Sequence, residues 1–540
     1  MQVRRLAALT ALPVVIAVGL SACGGGDSES GSKGSNPNAV ISIGIGEPKH
    51  LVPTNTGESE GSQVLSALFA PLVDFDKDNK PYNVVADKLD TTDGKVWTIK
   101  LKDGYTWHNG EKLIADNYID AWNYGAYGPN GQDLNYYFSR IEGYDALNPE
   151  DTKATPATKT MTGLKKVDDL TFTVTLAKPF SDFKAMLGYT SFYPMPKAAF
   201  ASDGSVNKEY EDAPIGNGPF KLKGKWNHDQ NIEVERWDGF KGDKPKVGGI
   251  NFKIYTSLPT QYADVQADNL DVDKTVATEN LATADKDFGD RYKHSPGSSF
   301  QFLAFPTYDP NFSKVEVRKA ISMAIDRDEQ VKTIFNGSQK SARSFVSPVV
   351  PGFRDNTCGD ACKYDPAKAK EMYTAAGGPA TIQITYNADG GHKEWVEATC
   401  NELQTNLGVK CEAKPEAKFA DLLTKVKAKT PGVGMFRLGW LFDYPSMEDY
   451  LGPLYATTGS SNYYGYSNPE FDKLVDQGAA AKTSDEAIKT WQQAEDILAK
   501  DLPVIPMRFG QNNFVHSKKV KNVEMDAFSR VDLMKIEAAG

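Results

Sequence analysis

The sequence predicts a mixed α/β protein of two or three domains. Three observations lead there. The chain has 540 residues, more than a single hydrophobic core usually serves. Short segments with apolar residues at every second position recur along it, and longer segments carry apolar residues three and four apart. The two kinds of segment are interspersed from end to end, with no repeat period, which is the pattern of the α/β class.

Val40 to Gly46 alternates as a strand and meets Glu47-Pro48, where the proline ends regular pairing or marks an edge. Gln63 to Phe69 reads as a helix with Val64, Leu65, Leu68 and Phe69 on one face. Trp97, Ile99 and Leu101 describe a half-buried strand closed by an Asp103-Gly104 turn, and Phe172, Val174 and Leu176 describe another. Val317, Ala320, Ile321, Ala324 and Ile325 form a helical stripe. Asp365-Pro366 opens a helix with an N-cap and a proline in its first turn, and Gly377-Gly378 ends it. Thr483 and Glu486 make a capping box before a helix that buries Ile488, Trp491, Ala494 and Leu498.

The composition is 40% hydrophobic and 24% charged, with a net charge of −10. No basic cluster suits a nucleic-acid partner, and six histidines are few for a histidine-built metal site. Arg4 and Arg5, then the short apolar run Leu6 to Leu20, then Leu20-Ser21-Ala22-Cys23 resemble a bacterial lipobox. On that reading 1–22 is a signal peptide and Cys23 is the lipid attachment site. Gly24 to Asn38 continues as a Gly/Ser-rich tether, so that 23–38 is an anchored linker. Four cysteines remain. An even count in an exported chain predicts disulfides within the close pairs, Cys358 with Cys362 and Cys400 with Cys411, in preference to a four-cysteine zinc site.

Three motif matches lack context. Gly57-Glu58-Ser59-Glu60-Gly61 has the letters of a nucleophile elbow, but no strand precedes it and two glutamates flank Ser59. Asp74 to Asn79 starts like a calcium loop, but Asn79 and Val85 stand where glycine and glutamate belong, so a hairpin turn is expected. Gly44-Ile45-Gly46 lacks the third glycine of a dinucleotide fingerprint. No catalytic constellation emerges, and neither an enzyme nor a cofactor is expected.

Several separated segments together resemble the family 5 solute-binding proteins of ABC importers, the oligopeptide/dipeptide-binding group. They are Val317 to Arg327, Ile215 to Leu222 with Asn217 in place of the usual Thr, Leu101 to Glu111, Tyr364 to Ala369, Asn462 to Asn468, and Leu502 to Pro506. The resemblance covers nearly all of the chain beyond the leader. It implies a class II periplasmic-binding-protein fold: two α/β lobes joined by two crossing strands, with an additional domain. Lobe I would comprise 39–60, 212–298 and 503–540, the additional domain 61–211, and the second lobe 299–502. It also implies a monomeric, lipid-anchored receptor on the outer face of a bacterial membrane, passing oligopeptides to permease subunits. A nickel chelate, haem, glutathione or a sugar is the alternative ligand.

The resemblance also locates a site. In Met435 to Pro445, Arg437 and Asp443 are opposite charges in an apolar run, with Trp440 midway. Six strand residues would keep both on one face. By resemblance, Asp443 accepts a peptide ammonium and Arg437 meets the carboxylate of a short peptide. Gly439 to Leu441 supplies one backbone edge for an added strand, Glu47-Pro48-Lys49 supplies the other, and Trp440 and Tyr444 wall the first side-chain pocket.

Overall fold

The computed structural model describes residues 36–149, 151 and 154–539. The leader, Cys23 and most of the tether lie outside these.

One eleven-stranded sheet runs through the molecule. Its axis is a pair of 13-residue antiparallel strands, Tyr292–Ala304 and Val504–His516. Their register slips between Pro296 and Phe300 and again between Gln301 and Phe302. On one flank lie Val272–Asp273, Val40–Ile45, Gly249–Ile254, Asn231–Arg236 and Phe220–Leu222. On the other lie Met435–Trp440, Thr381–Asn387 and Lys410–Glu416, and the short strand Lys340–Ser341 pairs with the second long strand at Arg508 and Phe509. Separate hydrophobic cores flank the two ends. Such slips interrupt the ladder and bend a strand, and the first falls just before Phe300, where the strand enters the core of the second half.

Val40–Ile45 differs from expectation. Alternation suggested one buried face, but all of its residues after Val40 are buried. It pairs in parallel with strands on both sides, and such a strand is covered on both faces.

A second, four-stranded antiparallel sheet orders Ala86–Thr91, Val96–Leu101, Thr171–Thr175 and Leu164–Asp168. The helix Ala115–Ala126 packs on it, stacking Tyr118 on Phe172 with ring centroids 5.6 Å apart. Val73–Phe75 and Pro81–Asn83 form the expected hairpin, with Asn79 at φ 56° in its turn.

The motif segments fasten these parts together. Gly216 abuts the end of the helix Ser59–Leu68, where an added Cβ would lie 1.8 Å from the Leu68 carbonyl oxygen. The buried Asn217 side chain accepts from Ala70 N at 3.1 Å and donates to Ala70 O at 3.2 Å. The helix Val315–Met323 ends sooner than its stripe suggested, and Asp326 caps a new helix, Arg327–Ile334. Buried Arg318 and Arg327 donate to the backbone oxygens of Leu502 and Pro506, tying the helices to the second long strand and the residues leading into it. Asp365 and Thr483 cap their helices as expected, and the disulfides are Cys358–Cys362 and Cys400–Cys411.

Candidate ligand-binding cleft

Met435–Trp440 pairs along most of its length with the first long strand, from Ala304↔Phe436 to Phe300↔Trp440. On its other side only Met435 and Phe436 have strand partners, Ile384 and Thr385. From Arg437 to Trp440 that backbone edge has no strand beside it among the described residues. The strand stops at Trp440, Leu441 is 65% exposed, and the chain turns before the helix Glu448–Tyr455. The even spacing of Arg437 and Asp443 therefore does not act through one continuous strand; the turn carries Asp443 round.

Both charges nevertheless line one cavity of about 1050 Å³, as do Gly439, Trp440, Leu441 and Tyr444. A second cavity of about 560 Å³ shares Leu441, Asp443 and Tyr136 with the first. Asp443 thus stands between two chambers, each within the size range of small-ligand sites.

Asp443 is held by a neighbour that local sequence did not reveal. Its backbone N–H donates to Asp449 Oδ2 at 3.0 Å, and the same oxygen accepts from Trp440 Nε1 at 3.1 Å. Tyr136 OH reaches the Asp443 carboxylate from the four-stranded region, at 3.4 and 3.5 Å. Burial pushes the Asp443 carboxyl up to about 6. Asp449 is raised well above the usual range, by burial and then by the charge of Asp443. No Lys, Arg or His among the described residues pairs with either carboxylate. Carboxylates drawn out of water without a counter-ion, buried Asp449 and half-buried Asp443, are costly and electrostatically suited to an incoming cation.

At the other end, half-buried Arg437 donates from Nη1 to Asn387 Oδ1 at 3.0 Å and from Nη2 to Gln301 Oε1 at 2.7 Å. Tyr444 is both core and wall. It packs edge-on against Phe180 and donates to Glu448, which also pairs with Arg140 at 3.0 Å. That cluster joins the 61–211 region to the wall of the cavity.

Glu47 and Lys49 line neither chamber. The Glu47 carboxylate bonds His228 Nδ1 at 2.9 Å and accepts from Asp229 N at 3.0 Å, while Lys49 N donates to Glu58 at 2.9 Å. Ser59 opens a helix and donates to Glu60 at 2.8 Å. Sequence reasoning missed Asp449, Tyr136 and the Arg140–Glu448 pair. Acids in a helix's first turn, where Glu448 and Asp449 stand, are common and carry no local signal, and nothing local links residue 136 to residue 443.

Comparisons with known proteins agree with this architecture. The family described as bacterial extracellular solute-binding proteins, family 5 Middle, matches residues 80–462. The oligopeptide-binding protein OppA of Bacillus subtilis (strain 168) is 27% identical, over 97% of each chain. The glutathione-binding protein GsiB of Pectobacterium atrosepticum is 27% identical, over 89% of this chain and 90% of that one. The unliganded open form of MppA, a periplasmic murein tripeptide binding protein, superimposes with a TM-score of 0.80 at 22% identity, covering 93% of this chain and 98% of that chain. OppA of Haemophilus influenzae in complex with RPPGFSPFR gives 0.71 at 23%, covering 94% and 100%. The fold is the two-lobed class II periplasmic-binding-protein architecture with an additional domain, and the chain belongs to the bacterial extracellular solute-binding proteins of family 5.

Proposed function

We propose that the chain binds oligopeptides in the cavity between Arg437 and Asp443 and hands them to the permease of an ABC importer. The observation that carries this reading is the pair of carboxylates, half-buried Asp443 and buried Asp449, without a counter-ion among the described residues and beside an unpaired strand edge. A peptide supplies what that arrangement lacks. Its ammonium neutralises Asp443, and its backbone pairs with the free edge at Gly439 to Leu441 by strand addition, which reads main chain and tolerates many side chains. Arg437 meets the carboxylate of a short peptide. Metal chelates and sugars have no need of an ammonium acceptor.

The family is one of solute-binding proteins rather than enzymes, and Ser59, bonded to Glu60, has no catalytic part in this reading. The lobes 39–60 with 212–298 and 503–540, and 299–502, would close about the register slips in the long strands, with 61–211 as the third domain. Cys23 would carry the lipid that keeps the receptor at the outer face of the cell membrane, working as a monomer. No helix among the described residues is long and apolar enough to cross a membrane.

Native mass spectrometry of the chain purified from its own cells tests the reading. Co-purified peptides with free amino termini are expected; a bound metal chelate, haem or sugar in their place would contradict it.

A further inference from the structure

Arg508, on the second long strand, is 6% exposed, its Nε is buried without a hydrogen-bond partner, and no carboxylate pairs with it among the described residues. It lies between two aromatic faces, 4.4 Å from the Phe335 ring centroid and 4.7 Å from that of Trp395. Trp395 is itself fixed, donating from Nε1 to His392 Nδ1 at 3.2 Å. The acids on the neighbouring helices are otherwise engaged. Asp328 bonds Arg343 and Ser341, and Glu402 accepts from Asp326 N and Gln330. The charged group that acts on Arg508 is another cation, Arg437, and burial with that repulsion lowers the guanidinium to about 9. It still carries its charge at neutral pH.

The ladder puts this cation behind the ligand cavity. Gln301 stands opposite Gly439 on one side and opposite Arg508 on the other, so the three lie in one row across three strands. Gln301 and Gly439 line the larger chamber, and Gln301 Oε1 accepts from Arg437. Aromatic faces offset part of the cost of burying a guanidinium, but an ion removed from water without an opposite charge remains unfavourable. A second negative charge on the ligand would relieve it.

Resting on the peptide reading above, we propose that Arg508 is a specificity-determining residue. It makes the Arg437 end of the cavity dicationic and selects peptides whose carboxyl-terminal residue is itself acidic, Asp or Glu, over those ending in a neutral residue. Arg508 acts through its field from behind Gln301, without touching the ligand.

Calorimetric titration of the purified chain with short alanine peptides, free at both ends and differing only in a final Ala or Glu, tests this. For the length that binds best, the Glu-terminated peptide should bind about tenfold more tightly, the size of one extra charge pair across a protein wall, and added salt should shrink the gap. Arg508→Gln should cut the preference to about threefold or less, weakening the Glu-terminated peptide more than the Ala-terminated one, which also loses part of its carboxylate's attraction. Equal wild-type affinities, or an equal loss for both peptides in Arg508→Gln, would overturn the proposal. Should Arg508→Gln lose its far-UV circular dichroism, Arg508→Lys replaces it: the lysine must keep a preference for the Glu-terminated peptide, and its absence overturns the proposal. If no peptide binds wild type, the peptide reading has failed separately. The anion preference is then judged with glutarate, whose binding to wild type but not to the variant supports it, and whose failure to bind overturns it.

Discussion

Asp449 holds Asp443 in place: the Asp443 backbone N–H donates to Asp449 Oδ2 at 3.0 Å, and Trp440 Nε1 donates to the same oxygen at 3.1 Å. One buried carboxylate thus fixes both ends of the turn that presents the other. Asp449→Ala leaves both donors without an acceptor, and a buried unsatisfied donor costs about 1–3 kcal/mol. We expect the variant to lose about 2–4 kcal/mol of stability and to bind peptide more weakly, as read by thermal melts and calorimetry. Asp449→Asn, which keeps an acceptor oxygen, should lose less on both counts.

Ligand binding should depend on pH through Asp443. Its carboxyl is raised to about 6 in the free protein, chiefly by burial, and an ammonium ligand needs the ionised form. Below about 6 the proton competes with the ligand. Affinity should therefore hold on the alkaline side and fall as pH drops through 6, by up to about tenfold per unit. Titrations across that range check it; affinity independent of pH would show that the site does not use this carboxylate.

The same shift works against the unliganded protein. A carboxylate with a raised folded pKa favours the fold while protonated, and that contribution is lost as pH rises from its ordinary 3.8 through about 6. Asp443→Asn removes the charge. In thermal melts without ligand, the variant should exceed wild type near neutral pH, by on the order of 1–3 kcal/mol. The two should converge on acidification.

Arg140 pairs with buried Glu448 at 3.0 Å and lies 3.9 Å from the centroid of the Phe180 ring, while Tyr444 bonds the same glutamate. Arg140→Ala strands that charge inside the molecule, where breaking one partner of a buried pair costs about 3–5 kcal/mol. Since Arg140 keeps 36% of its side-chain exposure, we expect about 2–4 kcal/mol in denaturation. Arg140→Ala combined with Glu448→Gln should recover part of the loss.

Much of the frame was legible because it is local. Caps at Asp365 and Thr483, the Trp97 and Phe172 strands and the close cysteine pairs each depend on neighbours a few residues away. The candidate site was legible in part. Asp443 and Arg437 do line one cavity, but the turn after Trp440 replaces the extended strand that their spacing suggested. Asp449 was hidden because an acid in a helix's first turn needs no other explanation. Tyr136 and Arg508 reach the site only through tertiary pairing across hundreds of residues, and His228 occupies Glu47 by the same kind of long-range contact. The full burial of Val40–Ile45 likewise depends on strands Gly249–Ile254 and Val272–Asp273, which lie far along the chain.

The central claim is that Asp443 receives the ligand's ammonium. Isothermal titration of Asp443→Asn with a peptide that binds wild type measures it directly. Loss of about 3–5 kcal/mol, a roughly hundred- to several-thousand-fold weaker affinity, is the predicted result. Affinity within about threefold of wild type, in a variant that is folded and at least as stable, would contradict it.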